Sequence, residues 1–255
     1  MRPRKPSRTV RRATAQHLKA NAAAESRYVR DLRAIMAGVH AEYRKHAELT
    51  RGPAPPTRGD SYTKDTGQLD LLGVRVVAAV KVHVGRAFDR MATRVNITNK
   101  AGNLAVLRIT PSDARIAEQM AQARNRNIEL VENAARVYAD DVRAIFDDPD
   151  LYGLTVDELK ARLLDRADVS ESRAELIARD QTLKLNGAMT QTRQENAGVT
   201  SYVWNTSHDS RVRDSHAELD GETFSWDSPP EPGHPGEDYQ CRCTALPVID
   251  ELEGL

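Results

Sequence analysis

Apolar positions recur at steps of three and four through most of this chain, the pattern of helices that bury one face. The first stripe is Tyr28, Leu32, Ile35, Met36, Val39 and Tyr43. It predicts a helix over residues 25–49, with Ser26 as its N-cap. Pro53, Pro55, Pro56, Gly59 and Gly67 mark the loop that follows. A second helix is expected over 68–93. Its valines (Val74, Val76, Val77, Val80, Val82 and Val84) also suit a strand, but the continuation through Arg86, Phe88 and Met91 favours helix. A break is expected around 99–102. A third pattern starts at Ser112 or Asp113 and runs through Ile116, Met120, Ile128, Val131, Tyr138 and Val142 to Phe146. A bend is expected near 125–127, and Pro149 ends the element. Thr155 and Glu158 form a capping box that opens a short helix through Leu159, Leu163 and Leu164. Ser170 and Ser172 begin a further helix that stops at Gly198.

Beyond Gly198 the period falls to two. Residues 199–204 alternate as a half-buried strand does, Asp220 and Gly221 signal a turn, and 222–226 form a second strand. Pro229, Pro230, Pro232, Gly233, Pro235 and Gly236 build a stiff loop before a last strand over 244–249, which Pro247 assigns to a sheet edge. The expected fold class is α+β, with a mainly helical N-terminal two-thirds followed by a small antiparallel sheet. Three regions are expected: a basic, disordered arm over 1–24, a helical region over 25–110, and helices with the small sheet over 111–255.

Charge changes this picture at the ends only. The chain of 255 residues carries 37 Lys and Arg against 37 Asp and Glu, so no global field draws it to nucleic acid. The first twenty residues nevertheless hold Arg2, Arg4, Lys5, Arg8, Arg11, Arg12 and Lys19 with no carboxylate. Such an arm is either a solvated tail or a DNA contact made through counterion release. From Asp209 onward twelve Asp and Glu stand against three Arg. No secretory signal is expected, and the first long apolar run, near Leu69, is interrupted by Arg75 and Lys81. The two cysteines, Cys241 and Cys243, are too close in sequence for an unstrained disulfide. The chain is expected in the cytoplasm, with no membrane partner.

Three readings compete for the residues from Trp204 to Cys243. His216, His234, Cys241 and Cys243 are zinc-ligand types that together could hold one structural Zn, although their spacing matches no standard finger or ribbon. His208 and His216 near Arg211 and Arg213 could instead serve a small nuclease-like phosphodiesterase, as acid and base beside charge-stabilising cations. The third reading is structural: Asp209 and Asp214 pair with Arg211 and Arg213, while Trp204, Phe224 and Trp226 fill the sheet's core. On the residues alone the structural reading is the default.

The same residues resemble the C-terminal domain of Mu F-like, SPP1-type phage head morphogenesis proteins. The resemblance rests on Ala178 and Arg179, then Trp204, Thr206, Asp209, Arg211, Val212, Arg213, His216, Leu219, Asp220 and Gly221. Pro235, Gly236, Cys241 and Cys243 complete it. It spans about 125–250 and departs from the family at Asp180-Gln181, where many members carry Thr-Glu. It implies a minor head protein of the virion, not an enzyme, acting at the portal vertex or capsid interior. The partners it implies are the phage portal protein, the major capsid protein and packaged double-stranded DNA. The basic arm is consistent with that last contact. Because the sequence ends just after the matched region, no appended toxin or nuclease module is expected.

Overall fold

The computed structural model describes residues 8–50, 66–107, 114–147 and 156–248. Four long helices lead: α1 (Arg8–Thr50), α2 (Thr66–Leu107), α3 (Ala114–Asp147) and α4 (Val156–Asn196). Strand β1 (Ser201–Asn205), the single turn α5 (Asp214–Ala217), and strands β2 (Thr223–Ser225) and β3 (Thr244–Pro247) follow. The α+β expectation is met, with helices first and a three-stranded antiparallel sheet of order β2-β1-β3 last.

The helix patterns read out as burial. In α1, Tyr28, Leu32, Met36, Val39 and Tyr43 are buried, and His40 joins them. In α2 the valines settle their own ambiguity. Val74, Val76, Val80, Val82 and Val84 would share one face of a strand, yet Val76, Val80 and Val84 are buried while Val74 and Val82 are exposed. That four-residue period belongs to a helix.

Three expectations about helix ends give way. Helix α1 begins at Arg8, inside the stretch expected as a disordered arm. Helix α2 continues through 99–102, because Asn and Gly each lower helix propensity by only about 1 kcal/mol or less, too little to end a long helix. The two helices expected after Pro149 are the single α4. Ser170, read as a cap, instead donates its hydroxyl to the Ala167 carbonyl (3.0 Å) within the helix. Thr155 of the capping box and Pro149 lie outside the described residues. The end of α4 is as expected: Gly198 has φ 78°, and Val199 N–H bonds the Gln194 carbonyl (2.9 Å) while Gly198 N–H bonds that of Glu195 (2.9 Å). This pair of bonds is a Schellman stop.

The chain divides into two compact units, and each of the four helices contributes to both. One comprises Val29–Phe88 and Asn125–Ile177. It is helical, with Tyr138 packed against His40 (ring centroids 4.4 Å) and edge-on to Tyr43 (5.6 Å). His40 Nε2 lies 2.6 Å from the Ser170 hydroxyl and its Nδ1 3.4 Å from Glu171. Burial, assisted by Arg44, lowers the His40 pKa to about 4.

The other unit comprises Met1–Tyr28, Asp89–Arg124 and Ala178–Leu255, and holds the sheet. Central strand β1 turns Tyr202 and Trp204 inward, where they pack with Trp226, Cys241, Cys243 and Ala245. Phe224 and Leu219 close the edge of that core. Pro247 pairs opposite Tyr202 at the sheet edge, where its missing N–H costs no ladder bond. Gln194, in the last turn of α4, ties helix to sheet. Its amide donates to the Ala245 carbonyl (3.0 Å) and its oxygen accepts from Trp226 Nε1 (3.2 Å).

Candidate functional site

The connection from β1 to β2 and the loop from β2 to β3 carry nearly every residue that the resemblance singled out. Thr206 and Asp220 close the first of these. Asp220 Oδ1 accepts from the Thr206 N–H (2.8 Å) and hydroxyl (3.0 Å). Gly221, at φ 84°, then donates to the Trp204 carbonyl (2.8 Å). Asp220-Gly221 is therefore the end of a long connection rather than a two-residue hairpin turn. Within it, Asp209 caps its own turn by accepting from Arg211 N–H (3.0 Å), and Arg242 grips the same carboxylate with both guanidinium nitrogens. Those bonds, from Arg242 foremost and then Arg211, hold the Asp209 carboxyl well below the usual carboxylate range.

Arg213 does not pair with Asp214 as expected. It reaches across to Asp238 (3.0 Å) and the Tyr239 carbonyl (2.7 Å). Gln240, which has φ 51°, donates its N–H to Asp180 Oδ1 (2.8 Å), the position at which this chain departs from the family pattern. Pro235 and Gly236 press on α4 at Gly187. A β-carbon on Gly187 would sit 2.7 Å from the Pro235 carbonyl oxygen, and one on Gly236 would sit 3.1 Å from the Gly187 α-carbon. Only glycine at both positions permits this approach.

These ties set the positions of Cys241 and Cys243. His216, on α5, brings Nδ1 to 3.7 Å from Cys241 Sγ and 3.5 Å from Cys243 Sγ. All three residues are buried, and their ligating atoms lie within 4.8 Å of one another. The Trp204 indole stands edge-on to the imidazole, ring centroids 5.4 Å apart. Behind the ring, Nε2 lies 3.2 Å from Asp238 Oδ2. Gly236 N–H points at Cys241 Sγ (3.4 Å). Contact with Cys243 lowers the Cys241 thiol to about 6, and the same contact drives Cys243 upward.

Of the four residues expected as zinc ligands, His216, Cys241 and Cys243 are brought together and His234 is not. His234 Nδ1 lies 2.8 Å from the Tyr202 hydroxyl, and its ring packs on Trp226 (4.9 Å). It is a polar member of the sheet's core. Burial, with Glu237 nearby, raises the Tyr202 phenol above its ordinary value. His208 is exposed beside Asp220 (3.7 Å), whereas His216 is buried with Nδ1 against both sulfurs. The cluster is thus arranged to hold a soft cation more readily than to shuttle protons.

Arg2, Arg4 and Lys5 lie outside the described residues, and Arg8, Arg11 and Arg12 fall in α1. Gly187, Gln194 and Asp238 are the positions that sequence reasoning missed, and Asp180 stood out only as a departure from the family pattern. Only Gly187 left a signal, as a glycine inside a helical pattern.

Among known proteins, an uncharacterized protein of Haemophilus influenzae (strain ATCC 51907 / DSM 11121 / KW20 / Rd) is 38% identical over 172 residues. The alignment covers 66% of this chain and 38% of the relative, so the chain spans well under half of that protein's length. No solved structure matches the chain. Residues 151–246 match the family described as Phage Mu protein F like protein, and they take in every loop tie and all three members of the buried cluster. The likeness to the Phage Mu protein F like family is therefore one of the segment 151–246.

Proposed function

We infer that this protein is a phage or prophage head morphogenesis protein, a minor component of the virion head that acts by assembly rather than by turnover. The observation that carries the reading is the family match over 151–246. Within that segment Asp180, Arg213, Asp220 and Arg242 fix one loop system in place, which supports the reading. The finer reading places the protein at the portal vertex inside the capsid, bound to portal or major capsid protein and in contact with packaged double-stranded DNA. The basic residues of the first twenty positions support the DNA contact through counterion release. An exposed apolar stripe supports a protein partner. On α2, Leu71, Val74 and Val82 are 67%, 70% and 51% exposed at helical spacing. Among the described residues, no helix is long and apolar enough to cross a membrane.

Co-expression with the portal and major capsid proteins of the encoding element tests this. The chain is expected to co-purify with portal or with assembled heads, and Leu71→Asp with Val74→Asp is expected to weaken retention without loss of helix. Clean absence of the wild-type chain from both partners would overturn the reading.

A further inference from the structure

We propose that His216 Nδ1, Cys241 Sγ and Cys243 Sγ bind one zinc ion, with the Asp238 carboxylate placed behind the imidazole. The site does not depend on the head-assembly reading, because it follows from the chemistry and placement of these four residues.

The first argument is distance. Zinc bonds of about 2.3 Å to sulfur and about 2.0 Å to nitrogen place those atoms about 3.5 Å apart in a tetrahedron. The two nitrogen–sulfur separations here are 3.7 and 3.5 Å. The second is valence. An imidazole Nδ1 takes part in one hydrogen bond, as donor or as acceptor, yet two sulfurs converge on this one. A cation at their common centre satisfies all three atoms at once. The third is the surroundings. A histidine ligand commonly presents its second nitrogen to a carboxylate, which fixes the ring; His216 Nε2 is buried without a hydrogen bond, and Asp238 Oδ2 stands 3.2 Å away, the carboxylate nearest to take that role. Arg213 in turn holds that same oxygen at 3.0 Å. Gly236 N–H directed at Cys241 Sγ supports a thiolate.

Two thiolates and an imidazole select a soft or borderline ion, zinc above magnesium or calcium. Among the described residues, no other His, Cys, Asp or Glu joins the three. A zinc ion here links α5 to the segment entering β3, in a region whose sheet is only three strands. It therefore acts as a staple on the fold.

The test uses the full chain, stripped with a chelator and titrated with Co(II), then Zn(II). One Co(II) per chain is expected, with a sulfur-to-cobalt charge-transfer band in the near ultraviolet that Zn(II) abolishes. Cys243→Ser is expected to lose most of the band. Asp238→Asn leaves the three ligands in place and is expected to weaken affinity about tenfold or more. Tryptophan emission, which reports the packing of Trp204 and Trp226, reads folding in every sample. Folded wild-type chain that binds no stoichiometric Co(II), or a Cys243→Ser band equal to wild type, overturns the proposal.

Discussion

Replacing Gly187 with alanine sets two well-understood effects against each other. In an exposed helix the change stabilises by about 1 kcal/mol, because alanine loses less backbone entropy on folding. At Gly187 the new methyl would lie 2.7 Å from the Pro235 carbonyl oxygen and 3.2 Å from the Gly236 α-carbon. Both neighbours are backbone, so neither can rotate away, and Gly236 is already at φ 95°. Overpacking costs about 1–3 kcal/mol, and backbone against backbone puts this case near the top of that range. The net expectation is a loss of about 2 kcal/mol. With a urea dependence of about 2 kcal/mol per molar, the unfolding midpoint falls by about 1 M. Trp204 and Trp226 are the chain's only tryptophans, and both lie in the unit that Gly187 belongs to, so their fluorescence reports the transition. Gly38→Ala is the control, since nothing lies within 4 Å of its β-carbon position; it should stabilise by up to about 1 kcal/mol, followed by far-UV circular dichroism. A Gly187→Ala midpoint at or above wild type would refute the close-approach argument.

Other expectations follow from single residues. His40 is 3% exposed, with a pKa about 4 in the fold against an ordinary 6.5. The unfolded chain therefore binds the proton first, so the stability tied to His40 is complete above pH 6.5 and falls away as the pH drops toward 4 and below. The ceiling is about 3 kcal/mol. His40→Gln should flatten the pH dependence of the urea midpoint between pH 7 and 4.5, and an unchanged slope would count against the burial argument. Gln194→Leu strands the Trp226 indole N–H and the Ala245 carbonyl in the core. It should cost about 2–4 kcal/mol by tryptophan-detected unfolding, and a loss under about 0.5 kcal/mol would contradict that role. Asp180→Ala frees the Gln240 N–H and should lower Co(II) affinity while leaving helix content unchanged by circular dichroism; equal affinity would show that Asp180 does not position the cysteine loop. Chelator added to the zinc-loaded chain should lower the tryptophan-detected Tm, and zinc should restore it.

What was legible in the sequence follows from which face carried the apolar residues. Helix α1 was plain because Tyr28, Leu32, Met36, Val39 and Tyr43 are both apolar and buried. The sheet was plain because Tyr202 and Trp204 alternate with outward residues. The last part of α4 was the reverse case. Its buried positions include Asp180, Thr182, Asn186, Thr192, Arg193 and Gln194; Asp180 and Gln194 bond the loop and sheet while Thr192 and Arg193 bond α3 and α2, so hydrophobic periodicity could not reveal these polar contacts. Ser170 misled because a serine that bonds its own helix reads like a cap. The cluster was legible by residue type, and three of its four expected members met. His234 did not, because a histidine among aromatic residues can be satisfied by a phenol as well as by a metal. Asp238 escaped notice among neighbouring carboxylates, since only the fold shows which of them faces His216.

The most direct test of the central claim is quantitative mass spectrometry of purified heads from the phage or prophage that encodes the chain, with the gene intact and deleted. The account predicts a low, fixed copy number of this protein per head and fewer DNA-filled heads when the gene is deleted. Heads that lack the protein and form in normal number without its gene would contradict it.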